Sequence, residues 1–152
     1  MIAVAIAGCG GGSSSANANP STATTKQSTS SGSGATVDVR STGLGKILVD
    51  SKGMTLYLFE KDTGSKSTCS GACASAWPPF TTNGQPQAGT GATASMIGTT
   101  KRSDGTTEVT YNGHPLYYYA GDQQPGDTNG QNLDQFGAEW YVLSPAGKTI
   151  KH

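Results

Sequence analysis

The chain has 152 residues with ten basic and ten acidic side chains and no run of either sign. A nucleic-acid interface needs a basic stripe to displace counterions from phosphates, and Tyr117-Tyr118-Tyr119 has no flanking Lys or Arg to hold a backbone, so that partner class is excluded. Hydrophobic residues make up 34%, and the shortage is local: residues 10–36 contain no Val, Ile, Leu, Phe, Tyr or Trp, leaving about 115 residues for one modest core.

The chain opens Met1-Ile2-Ala3-Val4-Ala5-Ile6-Ala7-Gly8-Cys9. Small residues before a Cys, after an apolar stretch, resemble the lipobox of bacterial lipoproteins, here Ile6-Ala7-Gly8-Cys9. That resemblance implies a diacylated Cys9 that becomes the mature N-terminus. No Lys or Arg precedes Cys9, and the apolar stretch is shorter than the roughly 7–15 residues of an ordinary signal, so residues 1–9 read as a signal remnant: either the true start lies upstream or the start is clipped. The bland alternative is a short apolar start with a chance Cys. The Gly/Ser run that follows favours the anchor, because a lipid anchor needs a tether. Residues 10–36 supply one: Ser, Thr, Gly, Ala and Asn cannot bury enough surface to offset ordering entropy. As a flexible coil this linker reaches roughly 30 Å.

Residues 37–152 read as one all-β domain built from two pseudo-symmetric hairpin repeats, about 43–80 and 103–147. Gly53-Met54-Thr55-Leu56-Tyr57-Leu58-Phe59-Glu60-Lys61-Asp62 recurs as Gly113-His114-Pro115-Leu116-Tyr117-Tyr118-Tyr119-Ala120-Gly121-Asp122, and a Trp follows each copy (Trp77, Trp140). In the first unit Lys46–Asp50 turns over Ser51-Lys52-Gly53 into Met54–Phe59. Tyr57 and Phe59 fall on one face of that return strand and Leu56 and Leu58 on the other, so both faces are expected to be covered. A short helical turn is possible near Cys69–Ala76. In the second unit Thr107–Tyr111 turns at Asn112-Gly113, the pair that best accepts φ > 0 twice, into His114–Tyr119. Pro115 cannot donate to a ladder and belongs at a strand start or edge. Trp140–Leu143 and Lys148–Ile150 form a last hairpin around Ser144-Pro145-Ala146-Gly147.

Tyr57-Leu58-Phe59-Glu60-Lys61-Asp62 and Tyr117-Tyr118-Tyr119-Ala120-Gly121-Asp122 both fit Y-x-(F/W/Y)-x-x-D. That pattern resembles a family of predicted bacterial lipoproteins, also described as a secreted repeat of unknown function. Cys69-Ser70-Gly71-Ala72-Cys73 with Ala76-Trp77-Pro78-Pro79, and Gly126-Asp127-Thr128-Asn129-Gly130, are similar to it as well. The likeness covers about residues 43–147 and implies location and architecture, with no catalysis to carry over.

Each group with chemistry has a structural and a functional reading. Tyr57 and Tyr117 pack as core rings while Asp62 and Asp122 cap turns, or the two carboxylates converge on a ligand. Outside the cytoplasm, with Cys9 lipidated, Cys69 and Cys73 are the remaining thiols and are expected to form a disulfide. Their C-x-x-x-C spacing, with Lys66 the nearest cation, gives a redox role little support. Asp127, Asn129, Asn132 and Asp134 imitate part of a calcium loop without its bidentate Glu; an Asx-rich, Gly-rich turn is the plain reading and a bound cation the functional one, and no other cofactor is expected. His114 and His152 read as surface residues. Gly64-Ser65-Lys66-Ser67 lacks the rest of a phosphate loop. The resulting expectation is a non-enzymatic, extracytoplasmic module anchored in a membrane and binding an envelope protein or small ligand. The alternative is a redox or metal-handling accessory using Cys69/Cys73 or the Asp and His groups.

Overall fold

A computed structural model describes residues 34–152; Cys9, the lipobox residues and most of the linker lie outside the described residues. Three small sheets, one short α-helix, α1 (Ala72–Ala76), and one 3-10 turn (Ala94–Met96) make up the regular structure among the described residues. The first sheet has β1 (Thr36–Thr42) between β2 (Gly45–Asp50) and β4 (Gln87–Ala88), antiparallel to the former and parallel to the latter. The second runs β3 (Tyr57–Phe59), β9 (Ala138–Val142), β8 (Leu133–Gln135), and the third β5 (Ile97–Lys101), β6 (Thr107–Tyr111), β7 (His114–Pro115).

Thr36, placed in the linker from composition, is the first residue of β1. The Ala35 N–H donates to Thr82 Oγ1 (2.9 Å) and its carbonyl accepts from Gln87 N–H (2.8 Å). Hydrogen bonding of the backbone recruits these small residues, and no apolar pattern marks them. The turn between β6 and β7 is as expected: Asn112 at φ 52° and Gly113 at φ 81° supply the two left-handed residues of a tight hairpin.

The return segments depart from simple hairpins. Thr55 bridges back to Val49, but β3 then leaves its own hairpin and pairs with β9, Phe59 opposite Trp140. In the second repeat Pro115 pairs with Thr110, after which the chain turns to the first repeat: the Tyr118 N–H donates to Pro78 O (2.7 Å) and the Ala120 N–H to Ala76 O (2.9 Å). Each return segment is therefore laid against the other repeat. At the crossing the Tyr57 N–H donates to Tyr117 O (2.8 Å) and the Tyr117 N–H to Tyr57 O (2.9 Å). A residue pair that bonds its own equivalent reciprocally lies on a local twofold axis. Other bonds come in matched pairs about it, such as Leu48 N–H to Leu143 O (3.0 Å) and Val109 N–H to Phe80 O (2.8 Å).

The alternation in the return strands sorts side chains into two cores. Tyr57, Phe59 and Tyr117 join Trp77, Trp140 and both half-cystines on one side, while Leu56, Leu58 and Leu116 join Val109, Phe80 and Leu143 on the other. Both faces are covered, as the apolar pattern required.

Candidate functional site

The repeated motif becomes a crosswise clasp. The Tyr57 hydroxyl donates to Asp122 Oδ2 (2.7 Å) and the Tyr117 hydroxyl to Asp62 Oδ2 (2.6 Å), so each tyrosine bonds the aspartate of the other repeat. Each Asp follows its strand in a tight turn, its N–H donating three residues back, Asp62 to Phe59 O and Asp122 to Tyr119 O (both 3.0 Å). The second carboxylate oxygen does the capping expected of it: Asp62 Oδ1 accepts from Thr68 N–H and Oγ1 (both 2.7 Å), and Asp122 Oδ1 from Asn129 N–H (2.8 Å). The phenol oxygens gain a further partner each. Gly130 N–H donates to Tyr57 Oη (3.1 Å), and Ser67 Oγ bonds Tyr117 Oη (2.6 Å). Only glycine serves at 130, since a Cβ there would stand 2.7 Å from the Trp77 ring. Burial holds both phenols well above their ordinary range; for Tyr57 donation to Asp122 adds to this, and for Tyr117 the charge of Glu108 and donation to Asp62 do. Burial likewise raises Asp122 against its hydrogen bonds from Tyr57 and Asn129.

Between the clasps lies a ladder of rings. Phe59 stacks on Trp140 (4.0 Å, 8°), Trp140 on Trp77 (3.9 Å, 6°), and Trp77 on Tyr119 (4.4 Å, 32°). The aromatic residue of each motif thus lies on the Trp of the opposite repeat. Tyr57 meets Trp77 edge-on at 5.3 Å, and Tyr117 meets Trp140 at 5.2 Å, the same arrangement twice. Gln135 holds both indoles: its Oε1 accepts from Trp77 Nε1 (2.9 Å) and its carbonyl from Trp140 Nε1 (3.0 Å).

Cys69 and Cys73 form the expected disulfide, buried at 1% and 6% exposure with Cα atoms 5.2 Å apart. Beside it lies a pair that sequence reading missed. Arg102 donates from Nη1 to Glu108 Oε2 (3.0 Å) and Ser67 Oγ (2.7 Å), and from Nη2 to the Cys69 carbonyl (2.6 Å). Glu108 is fully buried and burial pushes its pKa up to about 7 against the pull of Arg102. Glu108 Oε1 and Arg102 Nε have no hydrogen-bond partner, although Asp104 Oδ2 stands 3.7 Å from Arg102 Nε. In Thr107-Glu108-Val109-Thr110-Tyr111 the Glu occupies a position that a one-sided strand would expose; the only hint is that both faces of this domain's strands are covered.

The remaining candidates stand apart from the clasp or serve it through the backbone. Asp127 Oδ2 accepts from Gln123 N–H (2.8 Å) and Gln124 N–H (3.1 Å), Asn132 turns the chain at φ 63°, and Asp134 is exposed in β8. Among the described residues, no group of three or more His, Cys, Asp or Glu is placed to hold a metal ion. His114, in β7, lines an open cleft of about 320 Å³ with Leu58, Phe59, Glu60, Asp62 and Thr149, while His152 and Lys66 are exposed. A larger groove of about 520 Å³ is walled by hydroxyl groups, including Thr81, Thr99, Thr106 and Thr107, with Lys101 at its side.

Fold and clasp together define a two-repeat, disulfide-bonded β domain whose repeats exchange their motif partners. The family described as a secreted repeat of unknown function matches residues 38–81 and 98–144, one match for each repeat. The chain belongs to that family, as the motif residues led us to expect. Comparison with curated proteins and with solved structures gives no significant match. No helix among the described residues is long and apolar enough to cross a membrane.

Proposed function

We propose that this protein is a non-enzymatic binding or structural module of the cell envelope, held to a membrane by lipid on Cys9 and presented on the 10–36 tether. The observation that carries the reading is how the motif is used. Tyr57, Asp62, Tyr117 and Asp122 bond one another across the repeats, so the side chains of the shared motif act as internal fasteners. The disulfide supports it too: sulfurs buried this deeply are poorly placed for thiol exchange. Membership in a secreted family supports the extracytoplasmic setting. A partner, an envelope protein or a small ligand, then meets the module at its outer grooves rather than at the clasp.

Fractionation of native full-length protein tests the anchor. Wild-type protein should sediment with membranes, and Cys9→Ala should release it or leave it unprocessed. Wild-type protein recovered unlipidated from the cytosol would contradict the reading, and a stoichiometric metal in envelope-purified protein would favour a metal-handling role instead.

A further inference from the structure

The ring ladder has a property that packing does not demand. It ends differently at its two sides: Phe59, which resists oxidation, lies outside Trp140, whereas Tyr119, half-buried, lies outside Trp77. Each Trp also has a phenol at its edge whose hydroxyl already points at a carboxylate, Tyr57 toward Asp122 and Tyr117 toward Asp62. A phenylalanine would fill either tyrosine's ring volume. The hydroxyl and its acceptor add a route for a proton. A phenol that sheds its proton as it is oxidised yields an electron more readily than an indole does, and a hydrogen bond of 2.6–2.7 Å gives that proton a direct path.

We propose that the Trp77–Trp140 pair and its two tyrosine–aspartate clasps form a sink for one-electron oxidising equivalents. The oxidant, a radical or a high-valent metal species, takes one electron from the indole pair and is reduced by one. The indole radical cation regains an electron from Tyr57. The Tyr57 O–H bond breaks and its proton passes to Asp122 Oδ2, leaving a neutral tyrosyl radical, a protonated Asp122 and an intact indole. Tyr117 and Asp62 do the same for Trp140. Charge balances, because the positive indole and the negative carboxylate both become neutral. Burial holds both phenols in the protonated form, so oxidation of either releases a proton as well as an electron. Tyr119 gives the ladder its one oxidisable edge near solvent. This inference is independent of the lipid anchor and of any partner.

Laser photo-ionisation of tryptophan in the full-length protein, with a scavenger for the ejected electron, tests it. The visible absorption of the tryptophan radical should give way to the sharper near-ultraviolet band of a tyrosyl radical, at a rate independent of protein concentration. That rate should fall at least twofold in D2O. The double variant Tyr57→Phe/Tyr117→Phe should slow the transfer at least tenfold, and Asp62→Asn/Asp122→Asn should slow it as well. Tyr118→Phe, which removes a hydroxyl bonded to Asp50 and not set against either Trp, should leave it unchanged. Absence of tyrosyl radical in the wild type, a rate proportional to protein concentration, no solvent isotope effect, or transfer as fast in the double tyrosine variant would each overturn the proposal. The first three need no variant to fold.

Discussion

Glu108 carries a cost at one residue that a reader of the strand pattern would assign to the surface. Its carboxyl group has one oxygen on Arg102 and the other without a hydrogen-bond partner, and the charge of Asp62 adds to the effect of burial. Its pKa of about 7 lies above the ordinary value of 4.5, so the folded state holds the proton more tightly than the unfolded chain does. The stability this confers is fully present below about pH 4.5 and is lost as pH rises through 7, by about 3 kcal/mol. Asp122, also raised by burial, shifts stability in the same direction. Urea unfolding between pH 4 and pH 8 should therefore show stability declining toward the alkaline side, and Glu108→Gln should flatten much of that slope. An unchanged slope in the variant would place the titration elsewhere.

Among the elements, hairpins were the most legible. Asn112-Gly113 and the segment around Pro145 told their turns from local chemistry alone, and the paired half-cystines followed from compartment and proximity. Removing both by Cys69→Ala/Cys73→Ala should lower stability by about 2 kcal/mol in denaturant titrations, the chain-entropy value for so small a loop, while the fold survives. A loss of the cooperative transition would mean that the disulfide organises the Trp77 end of the core and does more than close a loop. The β8–β9 hairpin was not legible, because its tip breaks the turn rule. Gln135 pairs with Ala138 across a two-residue loop in which Phe136 stands at φ 60° before Gly137 at φ 96°. Phe136 is 42% exposed, so little burial offsets a conformation that costs a bulky residue about 1–2 kcal/mol. Phe136→Asn should raise stability by roughly 0.5–1 kcal/mol, since Asn tolerates the left-handed region. A destabilised variant would show that the Phe136 ring has packing value beyond its exposure.

At the scale of the molecule, the sequence showed that two copies exist but could not show how they meet. A motif match at a separation of 60 residues is compatible with two repeats folding side by side, each tyrosine beside its own aspartate. Strand exchange is decided by pairing between distant segments, β3 with β9 and Tyr118 with Pro78, for which no local preference speaks. Burial of Glu108 and Arg102 was hidden for the same reason, because β6 reads as one-sided until the opposite repeat covers it. The structure makes the two repeats mutually dependent: hydroxyl, carboxylate, indole and motif aromatic all find their partners across the twofold. A double-mutant cycle on urea stability reads this dependence directly, pairing Tyr57→Phe with Asp122→Ala in one cycle and with Asp62→Ala in another. The crosswise clasp predicts a coupling of about 1–2 kcal/mol for Tyr57 with Asp122 and additivity within about 0.5 kcal/mol for Tyr57 with Asp62. Coupling of Tyr57 to Asp62 of its own repeat, with none to Asp122, would contradict the exchange of motif partners on which the account rests.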